Sequence, residues 1–284
     1  YDLINAQLKN IKIKIKIKKI NSLKNQNFEK NLLIFDVPTK FKNPFKLSKK
    51  HNSKYIFKCF EVAIFFSKNK KVSGFINCPI NKSEVFRKKI IGVTEYLAKK
   101  EGGYGKEVML IYNKKLSVSP ITTHIQVKKI SQTLNKNLIV NKLVTINKFY
   151  RKIFKTNPKI ALLGLNPHNY EFRSNSEEKK IIIPAINKLK KLKISVLGPL
   201  SGDTAFIDFK KKKFDVIIGM YHDQVLSPFK TIFKFNAINI TLGLSYIRIS
   251  PDHGTGKDII KKNKANADSL VESVKFFNKI NVNT

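Results

Sequence analysis

The sequence predicts an α/β protein, and two observations carry that expectation. Apolar runs of strand length recur at 31–37, 72–78, 108–112, 116–123, 159–165, 194–197, 214–220 and 237–242. Between many of them lie segments with helical spacing or helix-start signals, at 55–68, 94–100, 127–134, 144–154, 177–191 and 265–277. Strands alternating with helices over the whole length predict a largely parallel sheet. A chain of 284 residues can bury one large or two medium cores.

Taken in order, Ile11 to Ile20 alternates Ile and Lys and predicts a half-buried strand with lysines on its open face. A second strand runs from Asn31 to Val37 and is ended by Pro38. The segment 55–68 carries apolar residues at helical spacing, including Phe57, Phe60, Val62, Ala63, Ile64 and Phe66, and its aromatics are expected to serve core packing. The strand from Val72 to Cys78 turns at Pro79-Ile80-Asn81-Lys82 into a short helix, and Thr94 is placed to cap the next one. The strands at 116–123, 159–165 and 214–220 each run into a histidine: His124, His168 and His222.

A hydrophobic content of 42% is that of a folded chain, and no apolar run approaches bilayer length. Two cysteines, Cys59 and Cys78, predict a reduced, cytoplasmic protein. The net charge of +37 suits anionic partners. Yet arginine occurs only at positions 87, 151, 173 and 248, and base readout and phosphate gripping favour arginine. The lysines are spread through every segment with no basic tail, which predicts solvated faces that draw in small anions, not a nucleic-acid or membrane partner. A lysine-rich nucleic-acid-binding protein remains the alternative class.

Strand ends of a parallel sheet share one edge, so His124, His168 and His222 can converge although they are far apart in sequence. Three imidazoles with an open position suit a catalytic divalent metal. Asp203, in the Gly198-to-Thr204 turn, can add an oxygen ligand or orient an imidazole. Each histidine alone is equally explained as a cap or turn residue, so both readings stand. Lys82, Lys230 and Arg248 are candidates for an anionic substrate; Arg248 is the most specific, since lysine is everywhere. No Gly-x-Gly-x-x-Gly or phosphate-loop pattern is present.

Gly92-Val93-Thr94-Glu95, Thr122-Thr123-His124, Gly164-Leu165-Asn166-Pro167-His168, Gly198-to-Phe206, Tyr221-His222-Asp223-Gln224 and Asn239-to-Thr255 follow one another in the order of a known family. From about Val72 onward the chain resembles the 4-hydroxythreonine-4-phosphate dehydrogenases of pyridoxal phosphate (vitamin B6) biosynthesis. The resemblance implies two α/β/α subdomains with a cleft between them, related to isocitrate and isopropylmalate dehydrogenases. It assigns 1–93 plus 241–284 to the cofactor side and 94–240 to metal binding and dimerisation.

The implied activity is NAD-dependent oxidation and decarboxylation of 4-phosphohydroxy-L-threonine to 3-amino-2-oxopropyl phosphate. The resemblance implies a divalent metal (Zn, Mg or Co) on His124, His168 and His222, in a site shared by a homodimer. Substrate contacts fall on Thr94, Lys230, Asn239 and Arg248, and NAD contacts on His253, Gly254 and Thr255. Lys82 and Asp203 are the candidates for proton transfer. Two departures stand out. Val93 occupies the place of a substrate-binding histidine, which admits another phosphorylated hydroxy-acid as substrate. A glycine-rich N-terminal strand and loop is lacking, and the chain is expected to begin inside a longer protein.

Overall fold

The computed structural model describes residues 1–24, 26, 31–46, 49–86, 92–103, 105–207, 209–260, 262 and 264–281. The chain divides into a smaller unit, Tyr1–Phe75 with Ile80–Ile90 and Thr255–Ala265, and a larger one, Ile76–Pro79 with Ile91–Gly254 and Asn266–Thr284. Residues 241–254 and 266–281 fall in the larger unit, whereas the sequence reading grouped them with the N-terminal segment.

The smaller unit holds α1 (Asp2–Asn10), a parallel pair β1 (Ile17–Ile20) and β2 (Leu32–Phe35), α2 (Lys49–Lys68) and α3 (Lys82–Phe86); β3 (Gly74–Ile76) runs across the boundary. Phe57, Phe60 and Phe66 of α2 meet Phe86, Phe75 and Phe35 edge-on; Phe60 is buried as expected, while Phe57 and Phe66 are half-buried. The Ser53 hydroxyl donates to the Val85 carbonyl at 3.0 Å and ties α2 to α3. The long alternating strand expected over 11–20 shrinks to Ile17–Ile20. Ile11, Ile13 and Ile15 are 42–50% exposed, because no sheet face covers them.

The larger unit follows in order with α4 (Val93–Lys100), β4 (Val108–Tyr112), β5 (Ser117–Thr122), α5 (Ile130–Thr133), α6 (Lys136–Ile153), β6 (Ile160–Leu163), α7 (Ile183–Lys191), β7 (Val196–Leu200), β8 (Val216–Tyr221), α8 (His222–Phe233), β9 (Ile238–Leu242), β10 (Ile247–Pro251) and α9 (Asp268–Asn281). The sheet order is β3-β10-β9-β4-β5-β8-β6-β7. Among the described pairings β5, β8, β6 and β7 are mutually parallel while β4, β9 and β10 pair antiparallel, so the sheet is mixed and not largely parallel. The strand β10 and the helix α8 were not read from the sequence. Pro228 inside α8 and the polar run that opens it hide its helical period.

Alternate residues face opposite sides, and both sides are buried. Val108, Leu110, Ile160, Leu162, Val216 and Ile218 pack under α6, α7 and α9 with Leu143, Ile186 and Phe276. Met109, Ile111, Ala161, Leu163 and Ile217 pack with Val225 and Phe229 of α8. At the start of β5 the Tyr150 hydroxyl of α6 donates to Ser117 Oγ at 2.8 Å, and both residues are buried.

The loop that leaves β6 is braced by a buried acid. Glu178, in a π-helical turn before α7, is 0% exposed. Its Oε1 accepts from the Leu165 and Asn166 N–H groups at 2.8 and 2.9 Å, and its Oε2 from Asn166 Nδ2 at 3.1 Å. Burial pushes this carboxyl up, but the donors from Asn166 and Leu165 outweigh it and hold the group below its ordinary value.

Tyr150→Phe leaves the buried Ser117 hydroxyl without its donor and is expected to cost about 1–3 kcal/mol, read as a lower urea midpoint at unchanged slope. Glu178 has a depressed folded-state pKa, so its stabilisation is full above the ordinary carboxylate range and drains away as pH falls through the folded value. Glu178→Gln should lower the midpoint at pH 7 and flatten its decline between about pH 5 and pH 3. An equally steep acid decline in both proteins would contradict this.

Candidate active site

The parallel strands deliver the histidines to one edge. Thr122 pairs with Tyr221 across β5 and β8, and the Thr122 hydroxyl donates to the Met220 carbonyl at 2.7 Å. His124 follows two residues after Thr122 and His222 one after Tyr221. Their rings lie 5.8 Å apart at 38°. The His222 Nδ1 lies 2.6 Å from Asp223 Oδ1, and the His124 Nδ1 lies 3.6 Å from Glu95 Oε1 of α4. The first is a short hydrogen bond; the second is an electrostatic contact, longer than a hydrogen bond. A carboxylate against Nδ1 favours a proton there and leaves the Nε2 lone pair for a ligand. The imidazoles are 40% and 33% exposed, so that ligand can reach them.

His168 leaves the neighbouring strand β6 through an unusual backbone. His168, Asn169, Tyr170, Glu171 and Phe172 all have φ between 48° and 56°. Each such non-glycine residue costs roughly 1–2 kcal/mol against the right-handed form. Around this turn the Gln224 side chain accepts from Met220 N–H at 2.7 Å and donates to the Gly164 carbonyl at 2.7 Å, linking the starts of the His222 and His168 segments. A Cβ on Gly164 would collide with Asn169 Oδ1, so a larger residue there would push the Asn169 side chain away. Asp203 is exposed; a hydrogen bond with Ser201 lowers its pKa first, and the His168 charge adds to the shift. His168 and Asp203 are thus electrostatic neighbours at the ends of β6 and β7.

An arginine lies buried further along the sheet. Arg248 is 3% exposed; its Nε donates to Asn77 Oδ1 at 2.6 Å and its Nη1 to Thr241 Oγ1 at 2.9 Å. Thr94 Oγ1 lies 3.3 Å from the same Thr241 hydroxyl. Burial pushes the Arg248 pKa down to about 10, opposed by the charge of Glu95. Arg248 therefore stays cationic at neutral pH. Glu95 faces both His124 and Arg248 electrostatically, so the imidazole pair and the guanidinium belong to one charge network. Thr94 is not the N-cap of α4; Gly92 is, which frees the Thr94 hydroxyl for Thr241.

The remaining candidates divide. Asn239 of β9 holds a buried Oδ1 with no hydrogen-bond partner among the described residues, an acceptor available to a ligand's donor. Lys230 on α8 is paired with Asp252, at 2.9 Å to its carboxylate and 3.3 Å to its carbonyl. His253 and Gly254 are exposed at the end of the larger unit, and Thr255 is exposed in the smaller one. Lys82 opens α3 in the smaller unit and is exposed.

Among the described residues of this one chain, no three His, Cys, Asp or Glu side chains gather to hold a metal ion. His124 and His222 fit two positions of one, being adjacent, accessible and backed by carboxylates. A Cβ on Gly254 would meet nothing within 4 Å. Glu95, Glu178 and Gln224 escaped the sequence reading. Glu95 follows Thr94 directly and was there to be weighed. Glu178 sits in an otherwise ordinary helix start, and only its burial marks it.

Residues 2–277 match the family described as pyridoxal phosphate biosynthetic protein PdxA, so the match also spans the first seventy residues. A 4-hydroxythreonine-4-phosphate dehydrogenase of Sulfurihydrogenibium sp. is 40% identical over 246 residues, covering 85% of this chain and 74% of that protein. A D-threonate 4-phosphate dehydrogenase of Pectobacterium atrosepticum is 33% identical over 221 residues, covering 77% of this chain and 68% of that one. The crystal structure of 4-hydroxythreonine-4-phosphate dehydrogenase from Klebsiella pneumoniae superposes with a TM-score of 0.85 at 28% identity, over 98% of this chain and 86% of that one. With its histidine edge, its buried arginine and these relatives in agreement, the chain belongs to the pyridoxal phosphate biosynthetic protein PdxA family.

Proposed function

We propose that this chain oxidises the secondary alcohol of 4-phosphohydroxy-L-threonine, with loss of the neighbouring carboxylate as CO2 to give 3-amino-2-oxopropyl phosphate. The observation that carries this reading is the His124–His222 pair, each imidazole backed by its own carboxylate and joined through Glu95 to a buried arginine. When bound, NAD supplies the hydride acceptor and a divalent cation (Zn, Mg or Co) supplies Lewis acidity.

The chain's own residues do the rest. His124 and His222 would hold two positions of the cation and His168 the third, in a site shared between the subunits of a homodimer. Arg248 and Thr94 anchor charged or polar substrate groups, and the unpaired Asn239 Oδ1 accepts a substrate donor. Lys230 reaches the substrate when its pair with Asp252 opens. Asp203, exposed and held ionised, is an acceptor for the alcohol proton, with Lys82 the other candidate. His253, Gly254 and Thr255 would hold the adenine side of NAD.

A second reading keeps the chemistry and changes the substrate. Val93 is buried at the first position of α4, beside Thr94, and cannot donate a hydrogen bond. An acid without the amino group, such as D-threonate 4-phosphate, fits that reading. NADH formation from 4-phosphohydroxy-L-threonine that stops with a chelator and returns with metal is the result expected. NADH from D-threonate 4-phosphate alone would select the second reading, and none from either would overturn both.

His222→Ala should abolish turnover and weaken Co2+ binding while the circular dichroism spectrum is kept. Asp223→Asn, which removes only the charge against Nδ1, should weaken Co2+ binding by about 10–100-fold. A Co2+ titration that leaves either variant unchanged would remove that residue from the assignment.

A further inference from the structure

Glu178 is a fully buried carboxylate that neither substrate binding nor proton transfer uses. Among its described partners there is no lysine or arginine, although the chain holds 56 of them. Among the described residues its charge is met by the N–H donors of Leu165 and Asn166 and by its own backbone N–H. A buried carboxylate is costly unless its hydrogen bonds are good. What it offers in return is stiffness, because charge-assisted bonds are shorter and stronger than neutral ones.

The stiffness is applied next to a histidine. Asn166 is fixed at its N–H and at its Nδ2, which also donates to Glu177 Oε2 at 2.9 Å. Only Pro167 separates Asn166 from His168, and its ring fixes φ. Beyond it begins the left-handed run from His168 to Phe172, a conformation that the chain does not hold unaided. Asn169 N–H closes the turn on the Asn166 carbonyl at 3.0 Å, so the braced residue is also the base of the strained one.

We propose that Glu178 is a positioning residue for His168: it clamps Leu165 and Asn166 so that the strained turn presents the imidazole in one orientation. The inference rests on the reading of His168 as a metal ligand. Glutamine cannot replace the clamp, since its NH2 group would turn a donor towards Asn166 Nδ2 or towards the two backbone N–H groups.

The test is a Co2+ titration of full-length protein, followed by the visible absorption of bound Co2+, below the melting temperature of every variant. Glu178→Gln is expected to weaken Co2+ binding by about 10–100-fold and to change the absorption envelope. Tyr150→Phe, a destabilised control whose lost hydrogen bond lies at the opposite end of the strands, is expected to bind as the wild type does. Equal binding by Glu178→Gln and wild type, or equal weakening in the Tyr150→Phe control, would overturn the proposal.

His168→Ala separates the two levels. If it binds Co2+ as the wild type does, the ligand reading falls and takes the clamp with it. If it loses Co2+ while Glu178→Gln does not, the clamp alone falls. Should Glu178→Gln not fold, Asn166→Ala removes only the side-chain donor and is expected to weaken Co2+ by roughly three- to ten-fold; no weakening would again overturn it.

Discussion

The register between β5 and β8 decides where the chemistry can be. Thr122 opposite Tyr221, locked by the bond from the Thr122 hydroxyl to Met220, brings His124 and His222 to one edge with rings 5.8 Å apart. A slip of one residue would turn each strand's side chains to the other face and bury what is now open. The register is held because both faces of these strands are apolar and covered: Ile218 lies under one helical layer, and Ile217 packs with α8 on the other side. Core packing thus fixes the separation of two imidazoles that are 98 residues apart in the chain.

The same edge collects groups from the antiparallel half of the sheet. β9 runs alongside β4 so that Thr241 lies opposite both Met109 and Arg248. A guanidinium 3% exposed in the middle of that pairing would be unfavourable without partners; Asn77, Thr241 and the facing charge of Glu95 meet it. Glu95 therefore faces both His124 and Arg248, and its own position follows from α4 being capped at Gly92. Had Thr94 capped that helix, its hydroxyl would have been spent on backbone N–H groups instead of Thr241.

How much of this was legible in the sequence depends on the range of the interaction. The strands β4, β6 and β8 are near-continuous apolar runs, which is what burial on both faces writes into a sequence. The three histidines at strand ends follow from the same signal. Ile11 to Lys16 misled because alternation reports an amphipathic strand only when another strand is there to pair with it. The antiparallel direction of β4, β9 and β10 left no local mark, and neither did the division of the chain after Gly254. Glu178 was invisible for a different reason: a glutamate at a helix start is ordinary until its surroundings show that no water reaches it.

The charge of +37 bears on the proposed chemistry in two opposite ways. A lysine-coated surface raises the local concentration of a phosphorylated acid and speeds its capture. The same field would repel a divalent cation, so a metal site on this protein needs acids close by, inside the distance at which salt screens charge, about 8 Å. The chain has only 19 Asp and Glu residues, yet Glu95, Asp223, Asp203 and Glu178 are all committed to the three histidines or to the segments that carry them. That placement would let long-range attraction of an anion and short-range acceptance of the proposed cation operate in one site. The two demands are separated by distance, and the sheet edge is where the short-range one is met.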